Sequence, residues 1–503
     1  MTDSIPTETQ TMAGAPEAGQ RGEPAEAASS SLDPGRLIIP ALRAGPDASF
    51  GAEAGRIADG LDLGVGGFIL FGGTAESVRR LTSDLFRRAG RPLLIASDLE
   101  RGAGQQVDGL TQFPPPLALA SLGDAAVVRW AGAVTAQEAR AVGINWVFAP
   151  VADLDVLPDN PIVQTRAFGD DPDRVASLVR TWIEGCQGAG ALACAKHFPG
   201  HGRTAVDSHI ALPVVADSAE RLRQTDLLPF AIAVEAGVAS IMTAHVAYPA
   251  LDPEGIPATL SAPILAELRG TMGYDGLVVS DALIMDGALV GRRESDAAVE
   301  AIRAGVDLLL YPNDARRVRD ALSQAMASGA LESARLAEAL RRYDRALVSA
   351  TRATPPVTRG PYDSAEALAD ALLEQGMLRG AAPRLRGPID LLVVDDDLGG
   401  PYPPGPTDGA ARVLGPERMG RYAGGSRVVL AFAEPRAWKG RSGFSPESRD
   451  ALANALSDAE LVVLFGHPRL LPELPTDRPV LLAWHRQRLM QEAVGRWLRR
   501  RVE

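Results

Sequence analysis

Eight short apolar runs, spread over residues 36–312, constrain this chain more than any other feature. They are RLIIPAL (36–42), GFILF (67–71), PLLIASD (92–98), NWVFAPVAD (145–153), ALACAKH (191–197), ASIMTAHV (239–246), GLVVSD (276–281) and DLLLYP (307–312). Near-continuous Val, Ile and Leu content is the mark of strands buried on both faces, as in a parallel sheet. The segments between the runs carry a helical period. In AESVRRLTSDLFRRAG, Val78, Leu81, Leu85 and Phe86 fall along one face. Eight strand–helix units in about 300 residues match a (β/α)8 barrel. A doubly wound open sheet is the alternative, and the count of units favours the barrel.

Beyond the barrel the pattern changes. TRATPPVTRGP is a Pro-rich break, SAEALADALLEQGML (364–378) reads as a helix, and four further runs follow at 389–397, 427–435, 459–468 and 479–485. Apolar runs separated by helices predict a smaller α/β domain with a mostly parallel sheet. The expected division is a disordered tail at 1–34, a catalytic barrel at 35–350, a linker and helix at 351–385, and a C-terminal α/β domain at 386–503. The carboxylates Asp395, Asp396 and Asp397 read as a solvated strand end. His467 and His485 have no partner visible in sequence. The first 31 residues are rich in Ala, Glu, Ser, Gly and Pro, without a basic start or an apolar stretch, so no secretory signal is expected there. No apolar run nears the roughly 20 residues that span a bilayer. The net charge of −12 argues against a nucleic-acid partner. Cys186 and Cys194 sit in apolar segments and are expected to be buried thiols rather than a disulfide. A cytoplasmic protein is expected, with no membrane partner.

Polar residues gather where the runs end: Asp98, Asp153, Lys196 with His197, His245 and Asp281. In a barrel, strand C-termini converge on one face, and that face holds the active site. A single terminal Asp is usually a turn or cap residue; five such ends on one face strain that explanation. The stretch KHFPGHGRTAVDSH (196–209) holds three of the six histidines in the chain. Its Pro199, Gly200 and Gly202 exclude a helix between the histidines, so no zinc-ligand spacing is met and no metal is expected. Ser208 stands between Asp207 and His209, yet no GxSxG elbow is present. No phosphate loop is present either. Asp207 and His209 suit an acid–base dyad, since a carboxylate on one ring nitrogen fixes the tautomer and stabilises the imidazolium. By spacing alone, an idle surface loop explains the pair equally well.

The same loop, followed by SHIALPVV, closely resembles the signature loop of family 3 glycoside hydrolases of the bacterial β-N-acetylglucosaminidase type. Four more segments resemble that family in order and approximate spacing: ASDLERGAGQQVDGLTQFP (96–114), FAPVADLDV…QTRAFGDDP (148–172), SIMTAHVAYPALDPEGIPATLS (240–261) and LVVSDALIMDGA (277–288). The resemblance spans about 35–350. It implies a (β/α)8 barrel, Asp281 as nucleophile, His209 as general acid/base with Asp207 as its partner, and Asp98, Arg166, Lys196 and His197 as holders of sugar hydroxyls. His245 is a further candidate at the mouth. The implied activity is retaining, exo-acting hydrolysis of terminal β-linked N-acetylhexosamine from cell-wall fragments or chito-oligosaccharides, through a covalent glycosyl-enzyme and without a cofactor. Two departures stand out: ERGAGQQV replaces the EGGRVxR of peptidoglycan-recycling members, leaving Arg101 as the nearby arginine, and Arg203–Thr204 replaces the usual DT. The rival readings are phosphorolysis, a plain β-glucosidase, and a non-catalytic sugar-binding barrel. The expected partner is a small carbohydrate; oligomeric state is left open.

Overall fold

The structure is a computed structural model that describes residues 32–206, 208, 211–352, 359–396, 411–414, 425–434, 442–474 and 476–503. The expected N-terminal tail up to residue 31, and Asp207, His209 and Asp397, lie outside the described residues.

The eight runs become eight staves. The first is split at Pro40 into β1 (Ile38–Ile39) and β2 (Ala41–Arg43), because proline lacks the N–H a ladder needs. The others are β3 (Gly67–Phe71), β4 (Leu94–Ser97), β5 (Trp146–Val147), β6 (Leu192–Phe198), β7 (Ser240–Thr243), β8 (Leu277–Ser280) and β9 (Leu309–Leu310). Strands β2 to β8 pair in sequence order, all parallel. Closure comes from β1, which pairs with β9 in the register Ile38↔Leu309, while Val279↔Leu308 bridges β8 to the last stave. Close strand approach explains Gly67: a Cβ there would lie 1.8 Å from the Leu94 carbonyl oxygen.

The connecting helices follow their sequence signals. Helix Ala75–Ala89 starts on a Thr74–Ser77 capping box and ends at Gly90, which takes the left-handed conformation (φ 62°). Val78, Leu81 and Leu85 are buried and Phe86 is half-buried, as the period predicts. Burying such side chains contributes about 1.5–3 kcal/mol each. An exposed pair on the same helix, Arg80–Glu76 at 3.8 Å, contributes only about 0.2–0.5 kcal/mol, so packing decides the helix. In the core, Trp146 is fully buried, donates Nε1–H to Ser240 Oγ at 2.7 Å, and meets Phe148 edge to face. At the N-terminal ends of the strands, Asp307 is fully buried among Arg269, Arg335 and Arg342. Cys186 and Cys194 are buried free thiols; burial pushes both pKa values up, that of Cys194 to about 12.

The C-terminal sheet has six strands: β10 (Met377–Arg379), β11 (Ile389–Asp395), β12 (Ala411–Leu414), β13 (Arg427–Ala433), β14 (Leu461–Gly466) and β15 (Val480–Leu482), in the order β10-β15-β14-β13-β11-β12. All pairs are parallel except β10 with β15. Thus the segment expected to be linker and helix also supplies an antiparallel edge strand. Its helix, Ala365–Glu374, packs on the helix Arg488–Arg499. Four polar residues differ from expectation. Asp395 is held by Arg486 at 2.9 and 2.8 Å rather than simply solvated, and Asp396 accepts the Ser445 N–H at 2.9 Å. His467 pairs with Asp155 of the barrel at 2.8 Å, and His485 contacts Arg101. These partners come from remote segments, which is why sequence spacing hid them. Among the described residues, no helix is long and apolar enough to cross a membrane.

Candidate active site

The C-terminal strand ends open on a cavity of about 280 Å³. Asp98, Glu100, Arg166, Lys196, His197, His201, Ser208 and Asp281 line it, with Gln105, Gln106, Phe71, Tyr311 and Met285. The segment following β4 supplies Asp98 and Glu100, β6 supplies Lys196 and His197, and β8 runs straight into Asp281.

One wall is an ionic cluster. Lys196 Nζ donates to Asp98 Oδ1 at 2.7 Å and reaches Glu100 Oε1 at 2.8 Å. Arg166 clamps Glu100 through Nε and Nη2 at 2.9 and 2.7 Å, and Nη1 donates to the Ile162 carbonyl at 3.2 Å. Burial alone would raise the Glu100 pKa, but Arg166 and Lys196 overcome it and hold the carboxyl well below its usual range. Desolvation opposes the charge on Lys196 too, yet Asp98 and Glu100 keep the ammonium firmly protonated. Of its three N–H groups, two are engaged by these carboxylates. Asp98 is the open member, with 29% of its side chain exposed.

A second wall centres on Asp153, which is fully buried. Its Oδ2 accepts from His197 Nδ1 at 2.8 Å, and its Oδ1 accepts the backbone N–H groups of His197 and His201 at 3.1 and 2.7 Å. Nδ1 of His197 therefore carries the proton toward Asp153. His201 makes contacts of a different kind, to Thr204 Oγ1 at 2.7 Å and Ser208 Oγ at 3.1 Å. Burial pushes its pKa down to about 4 despite the nearby Asp153, so it is neutral at pH 7.

Asp281 is half-buried at the end of β8. Its Oδ1 accepts the Ala282 N–H at 2.7 Å. Burial raises its pKa, but His197, His245, that N–H and Lys196 outweigh burial and leave it below the usual value. It is an anion at neutral pH, which is what a carboxylate nucleophile requires.

The structure thus brings Asp98, Arg166, Lys196, His197 and Asp281 around one cavity. His245 is fully buried and is not on the cavity wall; it bonds Thr259 Oγ1 at 2.9 Å and donates Nε2–H to the Ala282 carbonyl at 3.1 Å. Asp207 and His209 lie outside the described residues. Ser208, between them in sequence, lines the cavity, and its carbonyl accepts the Gly287 N–H at 3.0 Å. Arg101 turns to His485 instead of the cavity. Sequence reasoning did not assign Glu100 and His201 as site residues, and it placed Asp153 at the strand-end face without a role. The DLE triplet and the Asp ending the fourth run were their visible signals. A larger cleft, about 420 Å³, lies between Asp155, Arg174, His467, Arg469 and Trp484, and holds none of the strand-end residues.

A closed parallel eight-stranded barrel that gathers Asp98, Arg166, Lys196, His197 and Asp281 around one cavity at its strand C-termini defines a (β/α)8 protein with its candidate active site on the face such barrels use for chemistry. Residues 57–346 match the profile described as Glycosyl hydrolase family 3 N terminal domain, and the chain belongs to glycoside hydrolase family 3. It is 34% identical over 322 residues to a beta-N-acetylglucosaminidase/beta-glucosidase of Cellulomonas fimi, covering 62% of this chain and 56% of that protein. It is 41% identical over 257 residues to a beta-hexosaminidase of Pseudomonas aeruginosa (strain LESB58), covering 50% of this chain and 76% of that one. The match therefore spans only about half of the Cellulomonas relative. Among solved structures, the family 3 beta-N-acetylglucosaminidase of Paenibacillus sp. str. FPU-7 superposes with a TM-score of 0.79 at 29% identity, covering 95% of this chain and 98% of that one. That likeness extends through both domains.

Proposed function

We propose that the protein is a retaining, exo-acting β-N-acetylhexosaminidase that removes terminal β-linked N-acetylhexosamine from small oligosaccharides such as chito-oligosaccharides or cell-wall fragments. The carrying observation is the ionised Asp281 in one cavity with Lys196, Asp98, His197 and Arg166. The names of the Cellulomonas, Pseudomonas and Paenibacillus relatives support the acetamido-sugar class.

In this reading Asp281 attacks the anomeric carbon as the bond to the leaving oxygen breaks, and a glycosyl ester forms. His209, partnered by Asp207, gives its proton to that oxygen. Neutral His209 then takes a proton from water as the water opens the ester, restoring Asp281 and releasing the sugar with retained configuration. The anchoring of Ser208 to His201 and to the Gly287 N–H supports a role for this stretch at the site. Lys196 has an N–H left over from its two carboxylates to donate to a sugar hydroxyl, and Asp98 accepts from one. Lys196 stays protonated and so acts as a donor, not a base.

The test is a panel of nitrophenyl glycosides with the anomer of the first product followed by NMR. The N-acetylglucosaminide should be turned over faster than the glucoside, xyloside or galactoside, with the β-anomer appearing first. An α-anomer, or a glucoside preference, overturns the reading.

A further inference from the structure

The segment leaving β5 carries two aspartates, two residues apart, with different partners. Asp153 holds His197 and the backbone of His201. Asp155 binds the C-terminal domain: its Oδ2 accepts from His467 Nε2 at 2.8 Å and from the Arg469 guanidinium, while Arg469 Nη1 donates to the Leu157 carbonyl at 3.1 Å. His467 Nδ1 accepts the Arg469 backbone N–H at 3.0 Å, so Nε2 carries the proton given to Asp155. Asp155 is 6% exposed, and its Oδ1 has no hydrogen-bond partner among the described residues. The balance of its charge therefore rests on His467 and Arg469, and losing them would leave a buried, uncompensated carboxylate.

The two aspartates are mechanically linked. Leu154, between them, packs so closely on the histidine loop that a Cβ on Gly202 would lie 1.8 Å from its carbonyl oxygen. The Asp155 N–H donates to the Gly169 carbonyl at 2.8 Å, three residues past Arg166. A parallel contact sits on the other wall: Arg101, next to Glu100, meets His485, and Gln487 Nε2 donates to the Phe113 carbonyl at 2.6 Å. Both barrel segments that orient the cavity's charged side chains are thus docked, within one or two residues, on loops that follow β14 and β15.

We infer that His467 and Arg469 of the C-terminal domain are positioning residues for the barrel site, acting through Asp155 on the Asp153 carboxylate and thereby on His197 and the 199–206 loop. They touch no cavity atom; they fix where the 153–155 segment lies. The kinetic side of this inference rests on the proposed hydrolase reading.

The experiment uses the full chain with His467→Ala, Arg469→Ala and the donor-retaining His467→Gln. Amide hydrogen exchange over 196–206, thermal melting, and kcat and KM on di-N-acetylchitobiose and nitrophenyl N-acetylglucosaminide are measured. Small displacements of positioning groups cost up to about 100-fold in rate. The two alanine variants should lose about tenfold in kcat on chitobiose, less on the nitrophenyl substrate, whose leaving group needs little proton help, and exchange at 196–206 should quicken. His467→Gln should recover most of both. A clasp that only stabilises the fold predicts equal losses on both substrates and faster exchange confined to 467–474; that result overturns the inference. If the wild-type chain cleaves neither substrate, the hydrolase reading fails, and exchange at 196–206 decides the positioning role by itself.

Discussion

The two ends of the barrel hold charge clusters built from the same residue types and arranged to opposite effect. At the strand N-termini, Asp307 accepts from Arg335 and Arg342 on one oxygen, at 2.7 and 3.3 Å, and from Arg269 and the Val278 N–H on the other, at 2.6 and 2.9 Å. Both oxygens are engaged and the residue is fully buried. At the C-termini, Glu100 is engaged in the same way by Arg166 and Lys196, but the cluster extends through Lys196 to the part-exposed Asp98 and faces a cavity. A buried ion cluster is therefore not itself the sign of a site. The distinguishing property is donor and acceptor capacity left over where a ligand can reach it.

Substitutions at the two ends should separate along this line. The largest effect belongs to Asp281→Ala, which should reduce turnover by at least about 10⁴-fold without shifting the urea midpoint. Retained turnover would remove Asp281 from the chemistry. Asp307→Asn should cost about 3–5 kcal/mol of stability by breaking a buried ion cluster, with kcat of the folded fraction unchanged. A matching fall in kcat would erase the contrast between the two ends.

His201 tests the upper end by pH. Its folded-state pKa is depressed to about 4 from the usual 6.5 by burial. The unfolded chain therefore binds the extra proton first as pH falls. Stability from this group is fully present above pH 6.5 and is lost as pH falls through about 4, roughly 3 kcal/mol across the window. Denaturation curves for His201→Gln should show a shallower loss than the wild type between those limits. Glu100→Gln should reduce kcat/KM about 30-fold, since it loosens Lys196 and Arg166 without touching the reacting carbon. An unchanged kcat/KM would make the upper cluster structural, like the lower. The smallest effect is expected from the exposed pair Arg293–Asp296, where Arg293→Ala should leave the urea midpoint of unfolding unchanged.

Much of the architecture was legible in the residues alone. The period-3.6 faces, the continuous apolar runs and the polar residues ending five of those runs are local patterns, and hydrophobic burial acts on them locally. They sufficed to place eight staves, to put Asp98, Lys196, His197 and Asp281 on one rim, and to expect a smaller parallel sheet beyond. The resemblance over 35–350 pointed to the family that the profile match over 57–346 shows.

Partnership was decided only in three dimensions. Glu100 became the hub of one wall, Asp153 the holder of two histidine segments, and Asp155 the clasp to a domain more than 300 residues further along the chain. Arg101 went to His485, although its neighbour Glu100 lines the cavity, and His245 turned away to bond Thr259 and the Ala282 carbonyl. The physical reason is range. Periodicity and capping act over one or two turns of chain and are written in composition. A buried hydrogen bond between Asp155 and His467 depends on which surfaces the packed strands bring together, and no spacing rule along the sequence encodes that.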